Sequence, residues 1–215
     1  MSESSPKKPF VITVGRQFGS GGRELGRELA DRLGIAYYDK ELLAEASKNS
    51  GIHHSFFEQN DEKFPSFLQG LFSFNLGHTP QYYYTGPSAI TDDGLYKAIS
   101  DFLLDRAEKE SFVVVGRTAD YILRDHPRTV NLFIHAPVEE CVRRIRTRQP
   151  ELSPEKATSL ARKTNKLRSD YYNFFTDKEW GHASSYDLTF DSSRLPIKEI
   201  AGVVETYLRG RKLID

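Results

Sequence analysis

The sequence predicts an α/β fold in which a central parallel sheet is covered by helices on both faces. Three observations carry this. Phe112–Val115 is apolar throughout, and Phe10–Val14 and Val130–Ala136 are largely so, without the strict polar alternation of a half-exposed strand, as strands buried on both faces require. Segments with helical spacing separate them, and a glycine-rich turn, Gly19-Ser20-Gly21-Gly22, joins the first strand to the first helix.

The elements follow in order. Phe10-Val11-Ile12-Thr13-Val14 is short, β-branched and closed by Gly15, a buried strand. After the glycine turn, Leu25, Leu29 and Leu33 recur every four residues, and this amphipathic helix stops at Gly34. Ile35-Ala36-Tyr37-Tyr38 is a second strand ending at Asp39, which completes a strand, loop, helix, strand unit of crossover length. From about 47 to 91 the chain changes character. Phe56, Phe57, Phe64, Phe67, Phe72, Phe74, Tyr82, Tyr83 and Tyr84 lie among Pro, Gly and Asn, an insertion of short helices and loops. Its aromatics suit a small satellite core or a platform for a planar base.

Regular alternation then resumes. Leu95, Ile99, Leu103 and Ala107 have helical spacing, and Phe112–Val115 is a strand ending at Gly116-Arg117. Val130–Ala136 is a strand, and Pro137 opens a helix with Val138, Cys141, Val142 and Ile145 on one face. Ser153-Pro154 places an N-cap before a proline at the first helical position. Tyr186–Asp191 is the last strand and Pro196–Leu208 the last helix. With no internal repeat or low-complexity linker, residues 1–215 are expected to form a single domain.

Composition narrows the function. The 215 residues are 38% hydrophobic and 28% charged, as in a globular chain, and 30 basic residues balance 30 acidic ones. Nothing global therefore points to a nucleic-acid or membrane partner, and anion binding must come from local clusters. One cysteine, Cys141, excludes an intrachain disulfide and a cysteine-built zinc site, and the six histidines show no metal-ligand spacing. No apolar run is long enough to span a bilayer, and Met1–Lys8 lacks the apolar core of a secretory signal, so a cytoplasmic location is expected. Oligomeric state is not encoded in any of these features.

The strongest chemical signal is Gly15-Arg16-Gln17-Phe18-Gly19-Ser20-Gly21-Gly22-Arg23-Glu24, between the first strand and the first helix. There, backbone N–H groups converge at a helix N-terminus, and small residues let a phosphate reach them. A phosphate loop normally ends in Gly-Lys-Ser or Gly-Lys-Thr; here Gly22 takes the lysine position and Arg23 and Glu24 follow. Arg16 or Arg23 can supply the missing charge, though an arginine fork is not a lysine point charge. Arg117 follows Gly116 at the carboxyl end of a central strand, where ligands bind in open α/β sheets; a surface ion pair is the alternative. Arg143, Arg144, Arg146 and Arg148 crowd one helix, with Arg162, Lys163, Lys166 and Arg168 beyond it. Two basic groups around a hinged lid, about 144–180, suit phosphoryl transfer, which depends on positioning and charge neutralisation.

Gly-Ser-Gly-Gly-Arg-Glu-Leu after a strand, followed by Tyr-Tyr-Asp-Lys-Glu-Leu-Leu at 37–43, resembles the cytidylate kinase-like family. Val-Val-Val-Gly-Arg-Thr-Ala-Asp-Tyr-Ile-Leu at 113–123, Arg-Lys-Thr-Asn-Lys-Leu-Arg-Ser-Asp-Tyr-Tyr at 162–172 and Tyr-Asp-Leu-Thr-Phe-Asp-Ser-Ser-Arg-Leu at 186–195 are similar to its later motifs, in the same order. The resemblance implies a P-loop NTPase-type three-layer sandwich with an acceptor-side insertion and a helical lid. It implies ATP-dependent transfer to a small phosphorylated acceptor, with CMP or dCMP first, and small-molecule nucleotides as partners. On it, Arg16, Gly19, Ser20, Gly21, Gly22 and Arg23 hold ATP phosphates. Asp39 and Arg117 address the acceptor, and Arg144, Arg148, Arg162 and Arg168 close over the moving group. Mg²⁺ is expected to be held mainly by the nucleotide. The family's acid before Gly-Arg is Val115 here. Two alternatives stand beside this reading: a nucleotide-binding sensor that has lost transfer, and a kinase of a non-nucleotide metabolite.

Overall fold

The computed structural model describes residues 8–39, 89–116 and 118–215. The strands are β1 (Val11–Arg16), β2 (Ala36–Tyr38), β3 (Phe112–Val115), β4 (Thr129–His135) and β5 (Leu188–Asp191). The helices are α1 (Gly22–Leu33), α2 (Ala89–Ala107), α3 (Ala119–Ile122), α4 (Val138–Arg148), α5 (Pro154–Thr176) and α6 (Ile197–Gly210). The strands pair in the order β2-β3-β1-β4-β5, every pair parallel. The expected fold class is thus the observed one.

Side chains alternate across a strand, and the register makes one face common to neighbouring strands. Ile12 lies beside Val113 and Val130, and Val14 beside Val115 and Leu132. These residues form one core with Leu25 and Leu29 of α1 and Ile200, Val204 and Leu208 of α6. The opposite face buries Val11, Phe112, Val114 and Phe133, and α3 packs there on β1 and β4. Helices on both faces bury both rows of apolar side chains, which is why the strands read as continuous apolar runs.

Boundaries moved by a few residues. The first strand runs on to Arg16, and the last begins only at Leu188 because Tyr186 closes the short 3₁₀ turn Ala183–Ser185. α2 starts at Ala89, six residues before the expected apolar spacing. Ser153 caps α5 as expected, its hydroxyl accepting from the Lys156 N–H at 3.3 Å.

The chain divides into two compact units, residues 1–40 with 104–215, and residues 41–103. Of the second, the described part is helical and buries Ala98, Ile99, Phe102 and Leu103. The expected aromatic insertion lies almost wholly outside the described residues. Among the described residues, no helix is long and apolar enough to cross a membrane.

Candidate active site

The glycine-rich segment leaves the carboxyl end of β1 and enters α1. Gly19 and Gly21 have φ of +83° and +86°, a region that L side chains rarely adopt. Gly19 also lies hard against α4: a Cβ there would stand 2.7 Å from the Cys141 carbonyl oxygen. The loop is braced from inside. Gln17 N–H donates to Ile134 O at 2.9 Å, and Gln17 Oε1 accepts from Ala136 N–H at 3.2 Å. The Ser20 hydroxyl is fully buried and contacts the carbonyls of Gln17 and Ile134, both at 2.9 Å.

The first intrahelical bond of α1 runs from Leu25 N–H to Gly21 O at 2.9 Å. The N–H groups of Gly19, Gly21, Gly22 and Glu24 donate to no partner among the described residues. Such a row at a helix N-terminus is the arrangement that binds phosphate oxygens. The inward-turned Ser20 hydroxyl, by contrast, is engaged in the loop's own bracing.

Arg16 belongs to this site by strand parity. It follows Ile12 and Val14 on the α1 side of the sheet, pairs in register with Ile134, and passes under the start of α1. Its Cβ would lie 2.5 Å from a Cβ at Gly22, and its guanidinium lies against Gly116 at the end of β3. Arg168 joins it from α5. The Arg168 Nη1 donates to the Arg16 carbonyl at 3.0 Å, and the guanidinium sits 5.5 Å from the Phe18 ring centre. Burial, reinforced by the Arg16 charge, holds the Arg168 pKa well below its ordinary value. One turn earlier on the same face, Asn165 Oδ1 accepts the Phe18 N–H at 2.7 Å.

The other expected residues separate. Arg23 reaches Asp39 through Nε at 3.0 Å and Nη2 at 2.6 Å, spanning from α1 to the end of β2. The Asp39 side chain is 6% exposed and that of Arg23 44%. Arg144 does not face the mouth of the loop but bonds to Ser20 O and to Ser192. Arg148 is exposed and 3.8 Å from Glu24 at the loop's rim. Arg162 is exposed and lines, with Lys163 and Lys166, a groove along α5 that contains no loop residue. Arg117 lies outside the described residues.

Sequence reasoning missed Asn165, Gln17 and Ser192. Asn165 carried a signal, since it precedes Arg168 by three residues within the lid motif. It also passed over a buried cluster that joins two motif segments, in which Tyr172 of α5 donates its hydroxyl to Asp120 Oδ2 of α3 at 2.7 Å. Burial raises the pKa of Asp120, against the lowering effects of the Tyr172 hydrogen bond and the Lys178 charge. Burial also raises Tyr172 and Tyr186, and the Asp120 charge adds to both shifts. No group of three or more His, Cys, Asp or Glu side chains able to hold a metal ion occurs among the described residues.

Comparison with solved structures bears out the fold. An uncharacterized protein from Eubacterium ventriosum ATCC 27560 is 25% identical with a TM-score of 0.70, covering 93% of this chain and 98% of its own. A shikimate kinase from Bacteroides thetaiotaomicron is 14% identical with a TM-score of 0.50, over 93% and 98% of the two chains. A gluconokinase from Sinorhizobium meliloti 1021 is 15% identical with a TM-score of 0.50, over 92% and 90%. The last two likenesses concern the fold, which is that of P-loop kinases. Comparison with curated proteins finds no match. The model of the cytidylate kinase-like family matches residues 11–194, the stretch that holds the glycine-rich loop, the Gly116 segment, the α5 motif and the β5 turn, and the chain belongs to that family.

Proposed function

We propose that this protein transfers the γ-phosphoryl group of ATP to a small phosphorylated acceptor, with CMP or dCMP the first candidates. One observation carries the reading: the open N–H row of Gly19, Gly21, Gly22 and Glu24 stands at the α1 N-terminus, with the Arg16 side chain running beside it. Backbone donors and a guanidinium in one place suit a triphosphate, and loop N–H groups are present whether or not a lysine is.

In this reading Arg16 takes over the charge of the absent lysine. It enters from β1 instead of from α1, and Arg168 brings a second guanidinium from the lid helix. Arg23, bonded to Asp39, stands on the acceptor side with it, and Arg117 is assigned there by its place after Gly116. Arg148 and Arg162 are exposed lid cations available to close over bound nucleotide. An oxygen of the acceptor phosphate attacks the γ-phosphorus, the bond from that phosphorus to the β–γ bridging oxygen breaks, and ADP leaves. No side-chain nucleophile takes part. Neither Ser20, whose hydroxyl faces inward, nor Val115, which precedes Gly116, supplies a magnesium ligand. Mg²⁺ enters as part of the MgATP substrate.

A sensor without transfer is the second reading, favoured by Gly22 at the lysine position. The test is ADP formation from MgATP with CMP, dCMP, UMP, AMP and GMP, against a blank without acceptor. Transfer to the cytidine nucleotides supports the proposal. ATP binding with no transfer to any acceptor overturns it in favour of the sensor, and turnover with a sugar-like acid in place of a nucleotide moves the acceptor to another class.

A further inference from the structure

Arg144, Ser192 and Ser20 meet at one carbonyl. The Ser20 C=O accepts from Arg144 Nη1 at 3.1 Å and from the Ser192 hydroxyl at 2.6 Å. Arg144 Nη1 also donates to Ser192 Oγ at 2.7 Å, and Nη2 donates to the Ser192 carbonyl at 2.8 Å. The Ser192 N–H is tied in turn to His135 O at 2.9 Å. Ser20 and Ser192 are buried, 0% and 3% exposed. The knot thus ties the glycine-rich loop to α4, to the end of β4 and to the turn between β5 and α6.

Its consequence follows from peptide geometry. In a trans peptide the C=O and the next N–H point in opposite directions, and there is no cis peptide among the described residues. Two donors pull the Ser20 oxygen toward α4 and the β5–α6 turn, so the Gly21 N–H points away from them. The opposite orientation is sterically open to glycine and would aim a carbonyl oxygen at an incoming anion.

We propose that Arg144 and Ser192 are positioning residues which hold the Ser20–Gly21 peptide so that its N–H, and not its C=O, faces the nucleotide phosphates. The inference rests on the nucleotide reading above and assigns Arg144 a structural hold on the loop in place of a contact to the moving phosphoryl group. It also couples the β5–α6 turn to the loop, since Ser192 carries half of the hold.

The test measures ATP and ADP affinity by calorimetry for wild type, Arg144→Ala, Arg144→Lys and Ser192→Ala, beside the KM for ATP and for the acceptor. Arg144→Ala is expected to weaken ATP and ADP alike by about tenfold. The acceptor KM should stay within about twofold, and Arg144→Lys, which keeps one charged donor, should recover part of the loss. Ser192→Ala, a smaller change that leaves Arg144 in place, should weaken both nucleotides by about threefold. The Gly21 amide resonance should shift in both alanine variants while that of Gly202 does not, a local signature that general destabilisation would not produce. Wild-type nucleotide affinity in Arg144→Ala and Ser192→Ala overturns the role alone. A wild-type protein that binds neither ATP nor ADP overturns the nucleotide reading with it.

Discussion

The side chain of Arg16 begins where a side chain at position 22 would have to begin, a Cβ on Gly22 falling 2.5 Å from Arg16 Cβ. Gly22 is therefore more than a lost lysine. In the proposed reading, the strand arginine and the helix glycine are two halves of one exchange, in which the cation reaches the loop from the sheet and the helix gives up its side chain to let it pass.

The exchange predicts a reciprocal pair. Arg16→Gly, which removes the Cβ as well as the charge, should weaken ATP by about 10- to 100-fold, the range of a lost charge-assisted hydrogen bond. Gly22→Lys alone should also weaken it, because the new side chain collides with Arg16. The double variant should bind better than either single one. Calorimetric titration checks this, and a Gly22→Lys protein that binds ATP more tightly than wild type would refute it.

Gly19→Ala should destabilise the protein by about 2–4 kcal/mol. It adds a Cβ at positive φ and drives it against the Cys141 carbonyl on a rigid helix. Urea unfolding gives the number, and ATP affinity should fall in the same variant because α4 and the loop can separate only by deforming the glycine-rich loop that is proposed to hold the phosphates.

Arg23→Ala should separate the two substrates. Its guanidinium is committed to Asp39, so ATP affinity is expected to stay within about threefold while the acceptor KM rises. The stability cost should be about 1–3 kcal/mol, since the 44% exposed Arg23 is partly screened but the Asp39 carboxylate, 6% exposed, loses a charged partner. Loss of ATP binding in this variant would place Arg23 on the donor phosphates instead.

Asp120 gives a pH signature. Burial raises its folded-state pKa above the value of about 3.9 for an unfolded aspartate, so the folded protein holds this proton more tightly. Its contribution is fully present below the unfolded value and is lost as pH rises through the folded one. The stability of wild type minus that of Asp120→Asn should therefore fall as pH rises above the unfolded value of about 3.9, measured by denaturant midpoints across a pH series. A flat difference would show that Asp120 titrates as it does in water.

What the sequence made legible was local or periodic. Apolar strands, the Ser153-Pro154 helix start and the placement of the glycine turn all followed from neighbouring residues. Strand parity alone puts Arg16 on the face of Ile12 and Val14, although choosing it over Arg23 needed the ion pair of Arg23 with Asp39. The bonds that shape the site were illegible because they join distant positions. Phe18 meets Asn165 across 147 residues, and Ser20 meets Arg144 across 124. An arginine-rich helix reads the same whether Arg144 faces a ligand or a carbonyl, so its orientation had to come from packing. Tyr186 reads as strand, yet its N–H closes the 3₁₀ turn Ala183–Ser185, and pairing with β4 begins only at Leu188.

The order of the sheet also sets a schedule for making the protein. β1 is synthesised first but lies between β3 and β4, and its partner for Val11 in β3 is Phe112, 101 positions later. At translation rates of roughly 5–20 residues per second, the central strand waits about 5–20 s for its first described neighbour. During that wait Val11-Ile12-Thr13-Val14 is an apolar strand without a sheet, the kind of segment that seeks other chains. A nascent chain therefore needs protection that a chain refolded from denaturant, with every partner present at once, does not. Yield in the cell should respond to chaperone supply and elongation rate at sequences whose finished proteins are equally stable.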